Sequence, residues 1–170
     1  LEPECNPREN AALGWKKAEA ILSIDTEARE SLGHVIDDLF SGRPLGAEKK
    51  GLLRNLIEKN QDAIRLILEA SNKPCFKYEE NWEGPGYNLR IPSVIKMIQG
   101  TRLLGIYALF KAEEGRVEEA IDQCLAARRF LRIYLQEPCL INYLVATACM
   151  KQVAVFLQKI VADRKIETDI

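Results

Sequence analysis

Histidine occurs once in these 170 residues, at position 34, and no second metal ligand stands at the right spacing from it. A zinc site or imidazole catalysis needs such a partner, for example a second His four residues along a helix, so His34 reads as a surface residue beside Asp37 and Asp38. The chain has no Gly-x-Ser-x-Gly elbow, no phosphate-binding or dinucleotide glycine fingerprint and no Cys-x-x-Cys pair. The commonest sequence signs of acyl transfer, nucleotide use and dithiol redox work are therefore missing, and neither a cofactor nor a metal is expected. Basic residues do not predominate either: 24 Lys and Arg stand against 25 Asp and Glu, a net charge of -1. No global field draws in nucleic acid or anionic lipid. The longest stretch without a charge, 138–150, has 13 residues, short of the ~20 that a spanning helix needs, and this gives the expectation of no membrane insertion. No secretion signal precedes Leu1, and a start without Met reads as a processed or trimmed chain.

What the chain does have is helical periodicity. Its length favours one domain, whose folding hides roughly 70% of the surface that the unfolded chain exposes. Three N-terminal helices are expected within 8–70. The first, 8–23, follows Asn6 as a cap and Pro7 at its first position. The second, 26–40, is opened by Asp25 and buried through Leu32, Val35, Ile36, Leu39 and Phe40. The third, 47–70, shows Leu53, Leu56, Ile57, Ile64, Ile67 and Leu68 on one face. Three C-terminal helices are expected within 92–162, at 92–114, 116–136 and 138–162, with 164–170 frayed. The last is apolar on nearly all sides and reads as the core helix. Gly100 and Gly105 weaken the fourth by about 0.5 to 1 kcal/mol each relative to Ala, so close contact with a neighbouring helix is the expected compensation. One core should hold Leu53, Leu56, Ile57, Ile64, Leu104, Ala108, Ile121, Leu144, Val145 and Ala148.

Between the two helical groups, 71–91 breaks the pattern with prolines, glycines and four aromatics, Phe76, Tyr78, Trp82 and Tyr87. A connection of this length is uncommon in a compact domain, and its aromatic content speaks for order and function. Phe76 should close the apolar face of the third helix. Trp82 and Tyr87 flank Gly84, Pro85 and Gly86 and are candidates either for a cap on the core or for a partner-binding surface, where such side chains dominate. Arg128, Arg129 and Arg132 form a basic strip on the fifth helix, suited to an acidic peptide or a phosphate. Glu113, Glu114, Glu118 and Glu119 cluster at a turn, but carboxylates do acid–base work only where burial splits their pKa values, and a solvated turn offers no burial. Five cysteines are an odd number. Cys124 and Cys149 lie on apolar helix faces and read as small hydrophobes, whereas any two of Cys5, Cys75 and Cys139 could form a disulfide in an oxidising compartment.

The hairpin IYALFKAEEGRVEEAIDQCLAARRFLRIYL, 106–135, carries Ala108, Gly115, Ala120 and Ala127 around the turn EEGRVEEA. In these residues it resembles a tetratricopeptide repeat, where two backbones approach at small side chains. Lys111 stands where that family prefers an aromatic residue, and Arg132 where its closing proline belongs. A wider stretch, 74–160, resembles a group of commonly exported bacterial helical proteins without an established activity, on Cys75 with Phe76, Gly84, Pro138, Leu140, Ile141, Leu144 and Val145. With the six helices read from periodicity, these resemblances imply an all-α, tetratricopeptide-like stack of antiparallel helix hairpins. They also imply a non-catalytic module that binds another protein or peptide, and an extracytoplasmic, periplasmic or secreted location. The competing expectation is a helical small-molecule binder or hydrolase with a site under the 74–91 loop.

Overall fold

Every long periodic segment is helical in the computed structural model of the chain, which describes residues 5–41, 43, 45–78, 94–137 and 139–168. The helices are α1 Ala11–Ile21, α2 Thr26–Phe40, α3 Ala47–Lys59, α4 Gln61–Ala70, α5 Val94–Glu113, α6 Val117–Tyr134 and α7 Leu140–Thr168. Among the described residues the only β pairing is one isolated bridge, between Asn10 and Cys75. The chain is all-α.

The first helix begins later than Pro7 suggested, and an asparagine explains it. Asn6 accepts from the Arg8 N–H at 3.0 Å and caps a single 3₁₀ turn, Pro7–Glu9. Asn10 is then held extended, because its side chain accepts from the Lys77 N–H at 3.0 Å and donates to the Lys77 carbonyl at 2.7 Å. The same side-chain oxygen caps α1 through the Ala12 N–H at 3.0 Å. At the other end of α1, the Lys96 ammonium, reaching over from α5, donates to the Glu19 carbonyl at 2.6 Å, satisfying a helix-end acceptor with a cation.

The expected helix 47–70 is two helices. Asn60 ends α3 and stands at the N-terminus of α4, and its side chain is 1% exposed. Its oxygen accepts from the Ser23 N–H at 2.7 Å, while its amide donates to the Ser23 carbonyl at 3.0 Å and the Leu56 carbonyl at 2.8 Å. A buried amide must find such partners, and two of its three bonds go to Ser23 in the α1–α2 connection. The local break in the ladder is the consequence.

Helix α1 packs on α4, and α5, α6 and α7 pack on one another. The α5–α6 turn closes at Gly115, whose φ of 80° is the left-handed conformation that favours glycine. Ala108 and Ala120 are fully enclosed there and Ala127 is buried. Gly105 is where α5 meets α7: a Cβ there would fall inside the ring of Phe156. At Gly100 a Cβ would meet Ile67 at 3.4 Å and the Trp15 ring at 3.5 Å, ordinary van der Waals distances, so the close contact expected of both glycines is found at Gly105 and not at Gly100.

Leu53, Ile57, Ile64, Ile67, Leu104, Ala108 and Val145 belong to the core, with Leu56, Leu68 and Ile121 packed partly against it. Leu32 and Val35 are buried as expected, and the side chains of Ile36, Leu39 and Phe40 lie outside those described. Two expectations fail. Leu144 is 59% exposed and Ala148 is exposed, because α7 lies at the edge of the bundle: among the described side chains it buries Asn142, Val145, Ala146, Cys149, Val153, Phe156 and Ile160 and packs Met150 and Leu157 partly against the core. It is therefore not a helix sandwiched on all sides, and it continues to Thr168 rather than ending near 162.

Candidate functional site

Phe76 anchors the start of the aromatic segment. It is 2% exposed, and its ring makes edge contacts with Tyr78, Phe130 and Tyr134 at centroid distances of 5.0, 5.9 and 5.1 Å. Each such pair adds about 0.5 to 1.5 kcal/mol beyond the area it buries. Backbone bonds hold the strand on both flanks. The Ala11 N–H donates to the Cys75 carbonyl at 2.8 Å, and the Phe76 N–H donates to the Gln136 side chain at 3.1 Å. The Tyr78 N–H donates to the carboxylate of Glu137, which is 4% exposed. Residues 75–78 thus bind α1 to the α6–α7 corner, and a disulfide between Cys5 and Cys75, with Cα atoms 6.0 Å apart, adds a covalent tie. Cys139, the third candidate for that bridge, is free and half-buried.

The remainder of the segment does not enter this description: Trp82 and Tyr87 lie outside the described residues. Of the expected contact residues, the structure brings together Arg128, Arg129 and Arg132, all exposed on the last turns of α6. None of them forms an ion pair with another described residue. They stand at the same end of the α6–α7 hairpin as the start of α7, because the Tyr134 hydroxyl donates to the Asn142 side chain at 2.7 Å across the corner. That start of α7 is apolar and open to solvent: Leu140 is 74% exposed, Ile141 41%, Tyr143 58% and Leu144 59%. Four large apolar side chains within five positions make a patch rather than scattered exposure, and patches of this kind mark contact surfaces.

By length and composition Leu140–Ala162 is also apolar enough to cross a membrane, with 33% of its most apolar window buried in the fold. The 13-residue uncharged run was too short a ruler, since Lys151 and Lys159 interrupt the count without making the helix polar. A single helix of this kind does not separate a spanning segment from an edge helix of a bundle.

The remaining titratable groups have structural partners or none. His34 is exposed, and the described residues hold no group of three His, Cys, Asp or Glu able to bind a metal. Glu113 pairs with Lys50 at 2.8 Å, Glu114 lies 3.8 Å from Arg116, and Glu119 pairs with Arg116. The Arg116 hydrogen bond holds the Glu119 carboxyl below its ordinary value, the opposite of what a general acid needs. Burial pushes the Cys124 thiol up to about 11 and raises that of Cys149, which suits packing and opposes nucleophilic work. A cleft of about 230 Å³ opens between α2 and α3 beside Asp25, Ser31, Leu52, Leu53, Leu56 and Lys59. It is smaller than the ~300 to 1,000 Å³ of ordinary ligand sites.

Comparison of the chain with protein-family models, with curated proteins and with solved structures gave no match. The polar residues that organise the corner, the buried Asn10, Glu137 and Asn142 and the exposed Gln136, escaped the sequence reading. Asn10, directly before an Ala-Ala pair, resembles any helix cap, and Glu137 before Pro138 resembles any loop acid.

Proposed function

We propose that the chain is a non-catalytic helical docking module of the tetratricopeptide-like kind, acting in an oxidising, extracytoplasmic compartment, whose contact surface is the open end of the α6–α7 hairpin. One observation carries the reading: the exposed apolar start of α7 stands at the same end of the hairpin as three arginines of α6 that form no ion pair with another described residue. Apolar anchors next to guanidinium groups are the composition of protein–protein contact centres, where Tyr and Arg are enriched. The small residues at the α5–α6 contact support the likeness to a repeat hairpin, and the Cys5–Cys75 disulfide supports the compartment, since such bridges persist where the surroundings are oxidising.

The test is site-specific photo-cross-linking in the native host, with a benzophenone residue in place of Tyr143 or, as a control on α4, the exposed Arg65. A discrete adduct from position 143 that is missing from position 65 is the expected result. No adduct at 143, or the same ladder of products from both positions, overturns the proposal.

A further inference from the structure

Along its exposed face α6 presents Glu118, Asp122, Leu125, Arg129 and Arg132, at spacings of 4, 3, 4 and 3, with Arg128 alongside. The acids occupy one end of the stripe, Leu125 the middle and the bases the other end. None of the five charged residues Glu118, Asp122, Arg128, Arg129 and Arg132 forms an ion pair with another described residue. Within the helix this order is unfavourable: Glu118 and Asp122 are like charges four apart, as are Arg128 and Arg132, and the stripe contains no opposite pair at three or four. The helix dipole compensates only the first and last turns, so it covers Glu118 and Arg132 but not Asp122, Arg128 or Arg129.

Resting on the docking reading above, we infer that the surface is occupied by a second copy of this chain, with two α6 helices packed antiparallel about a two-fold axis at Leu125. That axis sets Leu125 against its own copy, Glu118 against Arg132 and Asp122 against Arg128 and Arg129, twice each. A parallel arrangement would set like charge against like, so the pattern selects one orientation as well as one partner. An 18-residue helix is about 27 Å long, too little to bury the ~800 Å² per partner of a standard interface by itself. The apolar start of α7 lies at the arginine end and comes level with the Val117 and Ile121 end of the second copy, extending the contact beyond α6.

Sedimentation of the full chain over a range of concentrations tests this. The parent should pass from monomer to dimer as concentration rises, and added salt should push it back toward monomer. Glu118→Arg/Asp122→Arg makes the stripe wholly basic and Arg128→Glu/Arg129→Glu/Arg132→Glu makes it wholly acidic, so each variant alone should be monomeric. Mixed in equal amounts they should restore a dimer, which also shows that both remain folded. A parent that is monomeric at its highest soluble concentration, a dimer that survives in each separate variant, or a mixture that stays monomeric overturns the inference. Should the parent be monomeric while position 143 still cross-links to a different protein, the docking reading stands and only the choice of a second copy falls.

Discussion

Replacing Asn60 by Ala isolates a single side chain that holds the N-terminal helices together. The amide makes three hydrogen bonds, two to Ser23 and one to Leu56, at 2.7 to 3.0 Å, and it is 1% exposed. A buried hydrogen bond contributes about 1 kcal/mol net, more where its partner is left dry. Ser23 is exposed, so water can reach its freed N–H and carbonyl. We therefore count the lower figure for each bond, giving about 3 kcal/mol, less about 0.5 kcal/mol because Ala favours a continuous α3–α4 helix. For a chain of this size, about 2.5 kcal/mol lowers Tm by roughly 5 to 10 °C. Urea unfolding followed by circular dichroism should show a lower midpoint with an unchanged slope. A variant within about 0.5 kcal/mol of the parent would refute the clamp, as would a helical signal that rises at the parent's stability, because α3 and α4 would then be one helix interrupted at no cost.

Glycines that look alike in sequence should respond with opposite signs. Gly105→Ala drives a Cβ into the Phe156 ring and should cost about 1 to 3 kcal/mol, whereas Gly51→Ala, within α3 and with nothing near its Cβ, should stabilise by about 0.5 to 1 kcal/mol; equal effects in thermal unfolding would contradict the α5–α7 contact. Thiol labelling of the native protein at pH 8 should modify Cys139 quickly, with Cys124 and Cys149 reacting only after denaturation, and three fast thiols would contradict their burial. Because the folded-state value of Cys124 lies at about 11, above the unfolded value of about 8.5, its contribution to stability is complete below pH 8.5 and is lost as pH rises through 11. An alkaline limb in that window should therefore shrink in Cys124→Ala, the remainder belonging to Cys149, whose thiol burial also raises.

Much of the helical framework was legible in the sequence because the apolar periodicity and the Gly115 turn report the same packing. Ala108, Ala120 and Gly105 stand where small size was required, and Phe76 is buried as expected, with its ring contacts on Tyr78 and on Phe130 and Tyr134 of α6. The departures share one physical origin. Asn10 and Asn60 end helices through side-chain bonds to residues 67 and 37 positions away, and periodicity within a helix carries no trace of a distant partner. Leu144 and Ala148 failed as core residues for a related reason. Apolar composition marks which helix can be buried, whereas the number of neighbours decides which faces are, and α7 at the edge of the bundle has neighbours on one side. The arginine strip was visible as a pattern, and its lack of ion pairs among the described residues and its apolar companion became evident only from the structure, at the corner held by Tyr134 and Asn142.

The most direct measurement of the docking surface is the cross-link yield from position 143 in a Leu140→Ser/Leu144→Ser background, with Tm recorded on the same protein. Both leucines are more than half exposed, so the variant should melt with the parent, to within the ~0.5 kcal/mol of an ordinary surface substitution, while the adduct disappears. An adduct of undiminished yield would show that the apolar end of α7 is not what the partner holds, and a Tm lowered on the scale of a core mutation would show that this end is covered by the fold itself.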